Sequence, residues 1–560
     1  MIIPEDAVER KILYDDLVRQ CLASREPRFT FYKMLRNYFL FGTQDESGSP
    51  YNKIRSTVET LSSFLYSAEG VKFSIHLGTA ATPDDVHKAA PLSREISDQW
   101  RMSGTHLRFE VAAMWSLVFG SMLMKVQGRK NVARTYLLEP HQFGVLREDI
   151  VDLEDQEAFV MLYSTTKTQL QHDLQGFPKQ KLDYIMSRVN AARGGNGSNF
   201  SDGMSRLLLA NPIGGVPGSV AQQNGMAGGT MNGGLAGTGV QYNYCPTVDA
   251  ELINMIDLYV WNDATADYQI VSIASPDVVI YDRPQSNVGV KGIPHFIVVR
   301  ADNNLYDYFW GDSFVAGLAG LQDWRSEDVM NIRNLLKKQS DPPISSTGLT
   351  GIQEEKLLAL RRAGGNLGTS NPQTKFSVHA PTMPSNIFTS LSEIDHMFDD
   401  QAGIGHILQG RGETGVRSRG QADLMARLGS SRPKKRALMV EECAANVATL
   451  MLRTVQENSD QRFLTENPDG AQGLPFVPSQ FTDDYEVRVD AHSSSPIFIE
   501  DRKHDAAELL EAHAIDRETF LEMMDPPNVQ QLVAKLKVIE KREQVAKEKE
   551  IQAELQAKQG

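Results

Sequence analysis

Between Asp312 and Gln456 the sequence alternates stretches that read as helix with stretches that cannot be helical. Gly311-Asp312-Ser313 supplies a turn and an N-cap, since Ser or Asp can accept from the exposed N–H groups of a first helical turn. Phe314, Leu318, Leu321, Val329, Ile332 and Leu335 then recur at mostly three- and four-residue steps, the period of one helical face. Asp341-Pro342-Pro343 ends the run, because proline pushes the preceding residue out of the helical region. The predicted helix, about 26 residues and roughly 39 Å long, suits a wall. Gly317 and Gly320 sit in its first turns, where each costs up to about 1 kcal/mol against Ala; a close helical neighbour would account for them.

Residues 342–384 change texture, with Pro342, Pro343, Gly348, Gly351, Gly364, Gly365, Gly368 and Pro372. They allow one short helix (352–362) and one strand (375–380). Helical spacing resumes at Ser385 through Ile387, Leu391, Ile394 and Phe398. An insert so placed is either a small subdomain at the end of a helical hairpin or an ordinary surface elaboration.

Next, Gly410-Arg411-Gly412-Glu413-Thr414-Gly415 is a literal G-x-G-x-x-G. A dinucleotide site needs a buried strand before that motif, a helix straight after, and an acid about 20 residues on. Here a helix precedes it, and Arg417 and Arg419 follow. A loop bearing three cations is the simpler account, and it suits a polyanion met in passing, since one exposed charge pair is worth about 1 kcal/mol. A second long helix is predicted from Gln421 towards Glu457, with Gly429 and Pro433 inside it, where proline kinks a rod. Lys434-Lys435-Arg436 then reads as a solvated face.

The rest predicts an α+β, mainly helical chain. Helices are expected at 28–41, 51–66 and 84–119, and strands at 71–76, 121–126, 134–138, 158–163, 253–261, 268–273, 278–282, 295–300 and 485–490, giving a mixed sheet. The apolar patch 111–124 is too short for a membrane span, which takes ~20 residues, and reads as core. Residues 193–241, with Gly194-Gly195 and Gly233-Gly234, cannot build a core alone and read as a surface insertion. A helical pair (502–513 and 516–524) precedes a Lys/Glu-rich terminal helix, 528–559.

Chemistry is sparse. No P-loop, H-E-x-x-H or G-x-S-x-G occurs, and His504-Asp505 lacks further histidines at ligand spacing. No catalytic residue, metal or cofactor is expected. Cys21, Cys245 and Cys443 stand far apart, which suits a reducing compartment, and no targeting segment is read. The net charge of −14 argues against a protein that grips DNA, which needs a basic footprint, but permits one that lets DNA slide.

The succession resembles the portal proteins of tailed bacteriophages. Gly311-x-Ser313 with Leu318, Leu321, Asn331 and Leu335 is similar to the entry of a first stem helix, and Pro342-Pro343 to the start of a clip. Residues 385–400 match a second stem helix, Gly410–Gly420 a tunnel loop, and 419–456 a kinked wing helix. The resemblance implies a wing (1–310), stem helix 1 (311–341), clip (342–384), stem helix 2 (385–402), tunnel loop (403–420), kinked helix with return strand (421–499) and crown (500–560). It implies a ring, dodecameric in the family, at one capsid vertex, through which double-stranded DNA is packaged and ejected. The partners would be further copies of itself, the large terminase ATPase, capsid and scaffolding proteins, and head-completion, adaptor or tail proteins, with no membrane. The location would be the virion, after assembly in the host cytoplasm. Arg411, Arg417 and Arg419 would face DNA, Lys337 and Lys338 would line the stem wall, and Glu354, Glu355, Lys356, Arg361 and Arg362 would meet partners at the clip. The alternatives are a ring that conducts no DNA and, more remotely, a nucleotide enzyme built on Gly410–Gly415.

Overall fold

The computed structural model describes residues 1–44, 51–66, 71–166, 252–302, 308–347, 373–403, 431–465, 474–489 and 506–524, apart from single positions and short runs within them. The expected insertion 193–241, short helix 352–362, loop 404–420, helix portion 421–430 and terminal helix 528–559 lie outside these residues, as does His504-Asp505.

In chain order the elements are α1 (Ala7–Phe41), α2 (Lys53–Leu65), β1 (Phe73–Leu77), α3 (Pro83–Met102), α4 (Thr105–Phe119), β2 (Met122–Arg129) and β3 (Val132–Leu138). There follow β4 (Phe143–Val145), β5 (Ala158–Thr166), β6 (Leu252–Asn262), β7 (Asp267–Ala274), β8 (Val278–Pro284) and β9 (Phe296–Val299). The remainder is α5 (Phe314–Ser340), β10 (Ile344–Thr347), β11 (Lys375–Val378), α6 (Ile387–Ala402), α7 (Ser431–Asn458), β12 (Phe463–Leu464), β13 (Pro475–Phe476), β14 (Tyr485–Val489) and α8 (Arg517–Met524). The chain is α+β.

Strand alternation builds a sandwich. A five-stranded sheet, β4-β5-β6-β7-β8, faces a three-stranded one, β3-β2-β9, and every described pairing is antiparallel rather than mixed. Because successive side chains point to opposite faces, Val160, Leu162, Ile256, Leu258, Val271 and Ile273 of the larger sheet pack on Tyr14, Leu17, Val18 and Cys21 of α1. Phe159, Tyr259, Tyr268 and Ile270 point the other way, to Leu123, Leu138 and Phe296 of the smaller sheet. The far side of the smaller sheet joins α2, α4 and α7 in the largest core. The return strand β14 pairs with β1 from Phe73↔Val489 to Leu77↔Tyr485.

Three expectations need correction. The helix expected at 28–41 is α1 and starts at Ala7, capped by Asp6 Oδ2, which accepts from Glu9 N at 3.2 Å. The helix expected over 84–119 is two, broken at Gly104, whose φ of +72° is left-handed and so cannot continue a helix. The insert contains a second strand, β10, which pairs with β11 from Ile344↔Val378 to Thr347↔Lys375. The 111–124 patch is core, with Ala112, Ala113, Trp115 to Phe119 and Met122 to Met124 buried. No helix among the described residues is long and apolar enough to cross a membrane.

Candidate functional site

The helical hairpin α5–α6 is where the sequence-predicted stem lies, and its geometry begins at a tight crossing. Gly311 N donates to Ser121 Oγ at 2.7 Å. A Cβ on Gly120 would collide with the Gly311 carbonyl, a Cβ on Gly311 would collide with the Gly120 carbonyl, and Gly120 has φ +87°. Only glycines let the two backbones pass so closely. Two residues on, Ser313 Oγ accepts from Ala316 N at 3.1 Å and donates to Val118 O at 2.5 Å. Ser313 therefore caps α5, as the sequence predicts, and at the same time fastens it to the end of α4.

From that root α5 runs outward and α6 runs back. Gln401 Nε2 donates to Gly317 O (3.0 Å), Arg325 Nε reaches Asp395 Oδ1 (2.9 Å), and Ser390 Oγ donates to Asp328 Oδ2 (2.9 Å), an antiparallel succession. Gly317 has the close neighbour expected of it, since a Cβ there would meet Gln401 Nε2, whereas Gly320 faces open space.

A polar clamp holds the base. Lys53 Nζ lies 3.2 Å from Asp395 Oδ1 and 3.3 Å from Asp399 Oδ1, and donates to Asp395 O at 2.8 Å. Gln322, fully buried, accepts from Lys53 N at 3.1 Å and donates to Tyr51 O at 3.0 Å. The Arg325 guanidinium stacks on Tyr51 at 4.0 Å. Partial burial would raise the Asp395 pKa, but hydrogen bonds and charge from Arg325 and Lys53 outweigh it and hold the carboxyl below its ordinary value. Sequence reasoning missed this clamp. Its signal was present: Gln322 and Arg325 stand one turn apart beside Leu318, and Asp395 and Asp399 stand one turn apart beside Ile394 and Phe398.

Beyond the clamp the hairpin leaves the core. The buried residues of α5 are Val315, Leu318, Gln322 and Arg325, and none from 326 to 340 is buried. That outer half, about 22 Å of helix, still carries Val329, Met330, Ile332, Leu335 and Leu336, the last 51% exposed. On α6 the buried positions are all late (Ile394, Phe398, Asp399, Ala402), while Phe388 is 58% exposed. Trp324 and Met397 flank an open groove between the helices, 60% and 48% exposed.

Of the predicted site residues, Lys337 and Lys338 fall in the last turn of α5, exposed, where cations favour the helix dipole. Arg411, Arg417 and Arg419, together with Glu354, Glu355, Lys356, Arg361 and Arg362, lie outside the described residues. So do Gly410–Gly415. The described element before them is α6, closed by Gly403 at φ +68°, rather than the strand a dinucleotide site requires. Arg436 departs from the solvated face expected of it. It pairs with Asp302 at 2.8 Å and lies 5.0 Å from the Phe314 ring centroid, bracing α7 against the start of α5.

Fold and hairpin together define an α+β chain with an incompletely buried helical pair. No family model matches the sequence, and no curated protein matches it. Among solved structures it is similar to a chain in the virion of a native gene transfer agent particle, at 9% identity and a TM-score of 0.40, over 88% of this chain and 93% of that one.

Proposed function

We propose that this chain is one subunit of a portal, a ring at a capsid vertex through which double-stranded DNA passes during packaging and ejection. The observation that carries the reading is the outer half of α5–α6. An isolated surface helix hides its apolar residues on its own core; among the described residues this pair leaves Met330, Leu336 and Phe388 exposed and Val329 and Ile332 only half-buried. Large apolar side chains concentrated on a projecting element mark a surface that another molecule covers. Copies of the same hairpin standing side by side cover it on both flanks, and closed symmetric assembly is the commonest way such surfaces are satisfied.

Charge supports a conduit. Lys337 and Lys338 mark the far end of the wall, and Arg411, Arg417 and Arg419 follow α6 in sequence, within a chain of net charge −14. A few cations on an acidic wall attract a phosphate backbone without the steep counterion release that would arrest it. The sequence has no P-loop, so in this reading a partner ATPase supplies the work of translocation. Residues 342–384, including Glu354, Glu355, Lys356, Arg361 and Arg362, are proposed to meet that motor and later the head-completion or tail proteins, in the virion.

Electron microscopy of the purified full chain, viewed down its axis and paired with light scattering, tests the assembly. Rings with a central opening are expected, and a monomer at every concentration refutes the reading. An opening too narrow for a duplex would leave a ring that conducts no DNA. Replacing Arg411, Arg417 and Arg419 together by Ala is expected to leave rings intact and reduce packaged DNA; unchanged packaged length and yield would remove the loop cations from the mechanism.

A further inference from the structure

The sandwich is packed unevenly. At one end its inner faces meet through Phe143, Phe159, Tyr268 and Phe296; at the other they enclose a cavity of about 590 Å³. Lys125 of β2 projects into that space, with Asp257 and Ser272 of β6 and β7 across from it and Arg283 of β8 at its side. Exposed Gln127 and Tyr136 stand at its mouth.

The cavity's polar groups are unevenly satisfied. Asp257 Oδ1 accepts from Ser272 Oγ at 2.7 Å and from Tyr163 OH at 3.4 Å. The Lys125 ammonium, with three protons to donate, has its nearest carboxylate oxygen 4.0 Å away and a thioether sulfur, Met161 Sδ, at 3.8 Å. Among the described residues Arg283 Nε is buried without a hydrogen-bond partner, and the guanidinium lies over the Tyr281 ring. Two cations therefore border the space with one carboxylate between them, and that carboxylate is already engaged by hydroxyls. Desolvation accordingly pushes the Lys125 pKa down, partly countered by Asp257. Met161, Met255 and Ile270 supply apolar walls.

We propose that this cavity binds a small organic anion, a carboxylate or phosphate head on a compact apolar or aromatic body, with Lys125 and Arg283 gripping the head. Its volume lies in the range of ordinary small-molecule pockets, and its position between two sheets excludes a DNA duplex. Charge-assisted hydrogen bonds in a half-buried site are the strong ones, and an anion gives Arg283 Nε an acceptor and Lys125, otherwise 4.0 Å from Asp257 and over the Tyr259 and Phe296 rings, a closer one. The inference stands apart from the ring reading and from the α5–α6 surface.

Isothermal titration of the full chain with benzoate, inorganic phosphate and uncharged benzyl alcohol tests it. Saturable binding of benzoate or phosphate, with none for benzyl alcohol, is expected. Arg283→Gln and Lys125→Met should each weaken binding about tenfold or more, while Arg147→Gln, a surface control, should leave it unchanged. If Lys125→Met fails to fold, Arg283→Gln decides the matter, because no hydrogen bond of its Nε is lost. Absence of saturable binding by either anion at millimolar concentration, or binding that Arg283→Gln leaves intact, overturns the proposal and makes the cavity a water-filled gap.

Discussion

Replacing Asp395 by Ala removes a carboxylate that both Arg325 and Lys53 reach. The two cations have side chains 8% and 12% exposed, so the loss leaves Arg325 without its anion and Lys53 with Asp399 alone. An uncompensated buried charge costs about 3–5 kcal/mol. Asp395 itself is 38% exposed, so water already screens the pair. With Asp399 remaining, the expected loss comes down to about 1–2 kcal/mol, or a factor of about 5–30 in a local opening equilibrium. Hydrogen–deuterium exchange of peptides from α6 reads this directly, and they should exchange faster by that factor while β5–β7 stay unchanged. A double-mutant cycle with Arg325→Met isolates the pair. The sign with pH follows from the depressed carboxyl. The clamp's contribution is fully present above the unfolded value, about 3.9, and is lost as pH falls through the lower folded value, so wild type and Asp395→Ala should converge in strong acid. Equal α6 exchange in the two proteins at neutral pH, or a coupling below about 0.5 kcal/mol in the cycle, would refute the clamp as the fastening of the hairpin.

Ser313→Ala removes both the cap of α5 and its bond to Val118 O, and should lower stability by about 1–2 kcal/mol in a thermal melt. Gly120→Ala sets a Cβ against the Gly311 carbonyl at a left-handed φ; a loss of about 3 kcal/mol or more is expected, read as a large drop in melting temperature or soluble yield. Trp324→Glu combined with Phe388→Glu should leave the melting of the single chain nearly unchanged, since both side chains are more than half exposed, yet abolish ring formation in sedimentation velocity.

Much of the fold was legible because the strands of the larger sheet are near-continuous apolar runs, as strands buried on both faces are, and α5 repeats at helical spacing. The other strands of the two sandwich sheets and both hairpin helices appear within a few residues of expectation, but β4, β12 and β13, two or three residues each, were not expected. Residues 7–27 of α1 were missed because Asp15, Asp16, Arg19 and Gln20 mask the single face of Tyr14, Leu17, Val18 and Cys21 that the larger sheet covers. β10 is Ile-Ser-Ser-Thr, too short and polar to declare a strand before its partner is known. The split between α3 and α4 hangs on one left-handed glycine, a backbone choice that periodicity does not encode. The clamp and the cavity are tertiary. Lys125 sits where an exposed residue of an alternating strand would, and only the second sheet stacked above it turns that position inward.

The β10–β11 ladder has a mechanical consequence. Its first rung, Ile344↔Val378, lies four residues beyond the end of α5, and the ladder's other strand leads back into α6. A pull applied beyond the ladder would be delivered to both rods at once, as through a yoke, rather than to whichever is pulled first. Twisting force arriving at the tip would thus tilt the pair as one lever about its Gly120–Gly311 pivot.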